Sequence, residues 1–325
     1  PLESAARCLP LVALLFIPVA LGVYHLYQWA RPEWQEEYRK MHSTEPFSKA
    51  DFLSPPFFWG RAAIYFVVWA LLVFFLNRWS REQDRTADPR LPRRFRLLSA
   101  PGLALYGGTI TFAAIDWVMS LQPDWYSTIF GVILGIGEVL SAFAFCIALL
   151  VLLAQYPPMR DVVLPNHLRD LGNLMLAFVM LWAYMSFSQF LLIWAGNLTE
   201  EIPFYLYRGQ GGWQWVAGAL ALFQFALPFI LLLSRDVKTA RGRLVGVALL
   251  VLVMRVVDLY WLVVPAPATT GGPPVALSVP WIEVGAVLLV GGLWLLFYLW
   301  QLQREPLLPT GDPYLATLRE NPHYD

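Results

Sequence analysis

Charge is what this 325-residue chain has least of: 14% of its residues are Asp, Glu, Lys or Arg, against 58% hydrophobic. Water-soluble domains average about 25% charged and 45–50% apolar residues, so there is too little charge here to clothe a surface facing water. The formal net charge is zero, which argues against a nucleic-acid partner. Cysteine is scarcer still. The two present, Cys8 and Cys146, stand far apart in apolar stretches, with no C-x-x-C, no C-x-x-C-H and no cluster. Structural zinc, iron–sulfur clusters and covalent haem need such spacings; two small buried side chains are the expectation instead. Of His25, His42, His167 and His323, only His25 falls inside an apolar segment, whereas a b-type haem wants two histidines at membrane depth. No redox metal is expected on this chain. It begins at Pro1 without methionine or a signal-peptide pattern, which reads as a start inside a longer protein.

What the chain has in abundance is long apolar runs. Spanning the hydrocarbon of a bilayer takes about 20 mainly apolar residues. Eight segments qualify: Leu9–Tyr27, Phe57–Leu76, Pro101–Leu121, Ser127–Ala154, Leu171–Ala195, Trp213–Leu233, Leu244–Val264 and Trp281–Trp300. In lipid only a helix satisfies every backbone group within a single run, and the short alternating segments of a β-barrel are missing. The fold class is therefore all-α and polytopic, with eight transmembrane helices and no soluble domain.

Lysine and arginine in the loops set the expected orientation. One side holds Arg7, then Arg78, Arg81, Arg85, Arg90, Arg93, Arg94 and Arg96, then Arg160, Arg169, Arg235, Lys238, Arg241, Arg243, Arg304 and Arg319, sixteen in all. The other holds five: Arg31, Arg39, Lys40, Lys49 and Arg208. Both ends of the chain are thus expected on the cytoplasmic side. The opposite loops carry the aromatic, Pro-rich stretches Gln122–Tyr126, Gly196–Trp215 and Pro265–Trp281, which suit an interfacial belt. Within the charged loop Gln28–Pro56, Glu33–Met41 reads as an amphipathic piece lying on the membrane face. The tail Pro306–Asp325 is polar and lacks helical periodicity, as in an extended or disordered segment. Gly131-x-x-x-Gly135 and Gly242-x-x-x-Gly246 match a weak pattern that marks tight helix packing.

Ionisable groups inside an apolar helix cost about 2.5–3.5 kcal/mol each on insertion scales, so each needs a partner or a purpose. At a rise of about 1.5 Å per residue they sort into two levels. His25, Arg61 and Asp116 share a level near the outer face and suit a pocket for a polar head group. Alternatively Arg61 and His25 extend to the interface and Asp116 makes a packing contact. Deeper lie Glu138, the i, i+3 pair Arg255 and Asp258, then Ser186, Ser188, Gln189 and Gln224, with Glu283 near the outer end of the last segment. His167, Arg169, Asp170 and Asn173 stand at the cytoplasmic entrance. Such a set suits a water-bridged proton path through Glu138, Ser186, Gln189, Gln224, Arg255, Asp258, Glu283, His167 and Asp170, and equally a static ion pair with polar packing around it.

Several longer stretches are distinctive: Leu53-Ser-Pro-Pro-Phe-Phe-Trp-Gly-Arg-Ala-Ala-Ile-Tyr65, Phe95–Tyr106, Ile115-Asp-Trp-Val-Met-Ser-Leu-Gln-Pro-Asp-Trp-Tyr-Ser-Thr-Ile-Phe-Gly131, His167–Asn173 and, above all, Ser186-Phe-Ser-Gln-Phe-Leu-Leu-Ile-Trp-Ala-Gly-Asn-Leu-Thr-Glu-Glu-Ile-Pro-Phe-Tyr205. Through them the chain, roughly from Leu9 to Trp300, resembles the ActF family of membrane subunits of bacterial alternative complex III, which are NrfD/PsrC-like. The resemblance implies ten helices in two four-helix bundles with flanking helices, so the eight segments here depart from it at the front. On that template residues 1–121 are the remainder of the first bundle with its outer loop 28–56. Residues 122–264 are the complete second bundle, and residues 265–325 hold the closing helix and a cytoplasmic tail.

The resemblance further implies a bacterial inner-membrane quinol:cytochrome c (or similar carrier) oxidoreductase. In such complexes quinol, menaquinol or ubiquinol, is oxidised near the outer face and electrons pass through an iron–sulfur subunit and c-type haem subunits. The implied partners are those subunits, small membrane subunits, membrane lipids and an ActC-like sister that is the leading quinol site. His25, Arg61, Tyr65 and Asp116 are the quinone-pocket candidates on this chain, although part of that pocket's wall belongs to helices beyond the eight. No catalytic residue and no cofactor bound by the chain itself is expected. A cofactor-free scaffold for the sister and the outer redox subunits is the competing reading. A stand-alone transporter fits poorly, because neither broken helices nor inverted repeats show in the sequence.

Overall fold

The computed structural model describes residues 2–41, 48–86, 88, 90–266, 275–277, 281–304, 306–309 and 311. Among these every regular element is helical. Eight helical spans are long and apolar enough to cross a membrane: α1 (Leu9–Leu21, preceded by the turn Leu2–Ala6), α2 (Pro55–Thr86), α3 (Leu91–Trp117), α4 (Phe130–Leu153), α5 (Pro165–Gly196), α6 (Trp213–Leu233), α7 (Arg241–Val263) and α8 (Trp281–Leu302). The all-α, eight-span expectation stands.

The boundaries differ in instructive ways. Helix α2 continues ten residues past the apolar limit at Leu76, to Thr86. Arg, Glu and Gln are good helix formers, and Arg7 Nε donates to Asn77 Oδ1 (2.9 Å) while the Thr86 hydroxyl donates to the Glu82 carbonyl (2.8 Å). Helix α3 begins at Leu91, ten residues before the expected start, and carries Pro101 inside it. The first segment breaks at Gly22, whose N–H caps Pro18, and Val23–Leu26 forms a separate turn. Where an apolar run meets charged residues, hydropathy locates the membrane boundary and not the helix end.

Helix α6 is α-helical to Ala219, widens to a π-helix over Leu220–Ala226, and resumes as α over Leu227–Leu233. Pro228 explains the widening. It has no N–H for the residue 224 carbonyl and its ring crowds the preceding turn, a conflict that a π segment relieves.

The principal core lies among α4, α5, α6 and α7 and includes Leu140, Ile147, Met175, Val179, Leu232, Val247 and Val251. Helix α4 is central, packing against α3, α5 and α7. Two glycines make this possible. A Cβ on Gly131 would stand 2.6 Å from the Thr111 methyl on α3, and one on Gly137 would stand 2.0 Å from the Arg255 guanidinium on α7. The Gly242/Gly246 pattern, by contrast, has open space at both positions and makes no close helix contact among the described residues. Helix α8 rests on α1 and the turn Leu2–Ala6 and inserts Tyr298 beside Phe145; the rest of it is largely exposed. The amphipathic helix in the long loop spans Pro32–Met41, close to its expected place. Most of the tail 306–325 and of the stretch 265–281 lies outside the described residues.

Candidate functional site

The helices alternate between two ends. One gathers the arginine-rich turns. The other, the aromatic end, holds the loops around residues 28–41, 48–54, 122–126 and 197–215 and two polar networks.

The first network joins α2 to α3. Arg61 grips Asp116 with both arms, Nε to Oδ2 and Nη2 to Oδ1, each 2.8 Å. Asp116 is fully buried and the Arg61 side chain is 14% exposed. Tyr65, one turn beyond Arg61, donates its hydroxyl to Asp116 Oδ2 (2.7 Å). The third arginine nitrogen donates to the Phe52 carbonyl (2.9 Å), and the Phe52 ring lies 3.9 Å under the guanidinium. Two carboxylate oxygens thus accept three charge-assisted bonds, which offset the cost of burying the pair. Gln35, from Pro32–Met41, ties the overlying loop down through the Trp29 and Leu53 carbonyls (2.7 Å each). His25 is not in this network. It is exposed on Val23–Leu26, and Tyr27 reaches inward instead, donating to the Trp117 carbonyl (3.0 Å).

The second network joins α4, α5 and the short helix Pro203–Arg208. The Ser127 hydroxyl donates to Gln189 Oε1 (2.9 Å), and Gln189 Nε2 donates to the Tyr205 hydroxyl oxygen (3.2 Å). Trp125 stacks on Phe204 at 4.1 Å and donates to the Glu201 carbonyl (3.1 Å). Arg208 closes this end. It is 2% exposed and donates to the carbonyls of Trp261 (3.0 Å), Leu262 (2.6 Å) and Phe204 (3.0 Å) and to Gln122 Oε1 (3.1 Å). Its charge is matched by the negative end of the α7 dipole and by the Phe204 ring at 3.6 Å. Burial pushes the Arg208 guanidinium down to about 9, still charged at neutral pH. Burial raises the Tyr205 hydroxyl to about 12, so it stays a neutral hydrogen-bonding group.

The deeper candidates divide. Arg255 and Asp258 form a buried ion pair one turn apart on α7. The Trp182 indole lies beside the Asp258 carboxylate, outside strict hydrogen-bond geometry. Gly137 seats the Arg255 guanidinium, but Glu138, turned by about 100°, looks the other way and accepts a bond from the Tyr106 hydroxyl on α3 (3.0 Å). Glu138 has no hydrogen bond to the ion pair among the described residues, although Arg255 lies within electrostatic reach of its carboxyl. Gln224 is fully buried in the π segment, and neither of its amide atoms has a partner among the described residues. Ser186 and Ser188 are half-buried on α5, and Glu283 lies beside Tyr260. At the arginine-rich end His167 Nδ1 accepts the Leu164 N–H (3.4 Å), Asp170 pairs with Arg169 (3.3 Å), and Lys238 donates to Asn173 (2.7 Å). The apolar Met175 and Val179 lie between that cluster and the ion pair. No unbroken chain of hydrogen bonds joins them among the described residues.

Glu138 and Tyr106 line a cleft of about 830 Å³ bounded by α1, α2, α3, α4 and α8, with Trp69 and Trp117 among its apolar walls. Arg208, Tyr106 and Gln122 escaped the sequence reading. Arg208 had a signal, being the lone basic residue in an aromatic loop. Tyr106 had none, because its role depends on how α3 faces α4. Cys8 and Cys146 are free thiols, and no cluster of His, Cys, Asp and Glu suited to a metal occurs among the described residues.

Compared with known proteins, the chain matches no family model and no curated protein.

Proposed function

We propose that this chain is a membrane subunit of a bacterial quinol:electron-acceptor oxidoreductase of the alternative complex III type, seated in the inner membrane with its arginine-rich end in the cytoplasm. The observation that carries the reading is convergence. The stretches 53–65, 115–131 and 186–205, which carry the sequence resemblance, meet at the aromatic end, where they supply Arg61, Tyr65, Asp116, Ser127, Gln189 and Tyr205 to the two networks. In this reading that end receives the iron–sulfur and c-haem subunits, an ActC-like sister binds the quinol, and this chain holds the shared membrane interface. Glu138, at membrane depth and bonded to Tyr106, is the group suited to exchanging protons. A second reading, a pure scaffold, is favoured by the closure of the Arg61–Asp116–Tyr65 network, in which every charged atom is already bonded. Deleting the gene tests the proposal. Membranes from the deletion strain are expected to lose quinol:cytochrome c reductase activity and to regain it with the intact gene. Undiminished activity would refute membership of such a complex.

A further inference from the structure

The same cleft has a second feature, at its arginine-rich end. Its α3 wall runs through Leu98, Gly102, Tyr106 and Ile110, positions four residues apart that form one ridge of the helix. One step further back along the ridge stands Arg94. The α2 wall includes Val73, and two such steps lead through Asn77 to Arg81. Both arginines are exposed. Arg81 Nε donates to the Asn77 carbonyl (3.3 Å), which leaves its two terminal nitrogens for a further acceptor. Among the described residues no carboxylate pairs with either arginine. Arg78, Arg85, Arg90, Arg93 and Arg96 are exposed around them, and the arginines of this turn outnumber its carboxylates, Glu82, Asp84 and Asp88. Phe74, Phe75 and Leu97 on the outer faces are exposed as well, which sets these charges at the level where hydrocarbon gives way to head groups.

From this geometry we infer that the cleft is a binding site for an anionic phospholipid, with its phosphate on Arg81 and Arg94 and one acyl chain in the slot. The chemistry is complementary at both ends. A guanidinium fork matches a phosphodiester, and each basic side chain near a membrane surface adds about 1 kcal/mol of attraction for an anionic lipid. Below it, Ala6, Leu9, Leu72, Leu76, Leu98 and Gly102 offer an apolar slot. From Leu98 to Ile110 the slot is about 18 Å deep at the helical rise, deep enough for most of an acyl chain. A zwitterionic lipid would fill the slot but meet the arginines with a cation of its own. The site requires neither quinone nor redox partners, and its slot passes the Tyr106–Glu138 pair named above.

The test uses the full chain in neutral detergent, offered phosphatidylglycerol and phosphatidylcholine of one acyl composition, with retained lipid counted by mass spectrometry. The wild type is expected to retain phosphatidylglycerol in preference. R81Q/R94Q should weaken that retention about thirtyfold, and R81K/R94K should keep most of it. S99F, whose ring would enter the slot, should weaken it with both arginines intact. Excess inorganic phosphate should not displace the lipid. Circular dichroism confirms that each variant is folded, and should R81Q/R94Q fail to fold, the lysine pair and S99F decide. Equal retention of the two lipids, or retention indifferent to both the arginine changes and S99F, would overturn the inference. Displacement by inorganic phosphate with indifference to S99F would instead mark a free-anion site and overturn it too.

Discussion

Asp116 shows how much a single residue carries at the aromatic end. Its carboxylate receives both arms of Arg61 and the Tyr65 hydroxyl, all within 2.8 Å. Removing one member of a buried ion pair strands the other charge, at a cost of about 3–5 kcal/mol. We therefore expect Asp116→Ala to reduce the yield of folded protein sharply, and Arg61→Ala/Asp116→Ala to be milder than the single change. Equal or additive losses, read as monodisperse protein after detergent extraction, would mean that the two residues do not stabilise each other. The sequence made this pair legible because both residues fall at one depth on adjacent apolar segments. His25 follows the alternative of a side chain extending outward, for a local reason: the helix breaks at Gly22, and three residues of a new turn suffice to turn it out. Arg208 was legible only as a loop charge, since its four acceptors come from three separated stretches of chain.

At the scale of the element, α6 is the most informative. Its π segment exists because of Pro228, and it leaves Gln224 fully buried with neither amide atom bonded among the described residues. A buried polar group without a partner costs about 1–3 kcal/mol. Gln224→Leu, similar in size and without that cost, is expected to raise the thermal midpoint of the detergent-solubilised protein. A lowered midpoint would show that Gln224 holds a bond on which the helix depends. The apolar runs made all eight spans legible, yet they misjudged α2 and α3 by ten residues each. Hydropathy reports where lipid ends, whereas a helix continues while its residues favour it and its flanks are tied, as Asn77 is to Arg7. The first small-residue motif does hold α4 close to α3 through Gly131, while Gly242 and Gly246 face open space among the described residues. Spacing alone does not distinguish the two cases, because both faces look alike until the neighbouring helix is known.

For the molecule as a whole, sixteen basic residues against five predict that the Arg78–Arg96 turn is cytoplasmic and the Gly196–Trp213 stretch is outside. Cysteines placed at Arg85 and Gln210 in intact cells are expected to react with an impermeant thiol reagent at 210 alone; labelling at 85 alone would invert the orientation. The proton path expected from depth alone is divided in the structure. Arg255 and Asp258 face into the core, and Glu138 faces the cleft through Tyr106. Depth was legible from the sequence, but the direction in which each side chain points from α4 was not. Glu138→Gln keeps the shape and removes the titration. On the proposed function it is expected to assemble and support quinol oxidation in detergent, yet to move fewer protons per electron in liposomes; an unchanged ratio would remove Glu138 from proton transfer.

Whether these helices belong to the proposed quinol-oxidising complex is decided by affinity purification of the tagged chain in a mild detergent, read through its visible spectrum. We expect c-type haem absorbance to co-purify with the chain, and the haem to be reduced on addition of a short-chain quinol. A chain that purifies intact from its native membrane, colourless and without haem or iron–sulfur partners, would contradict the account.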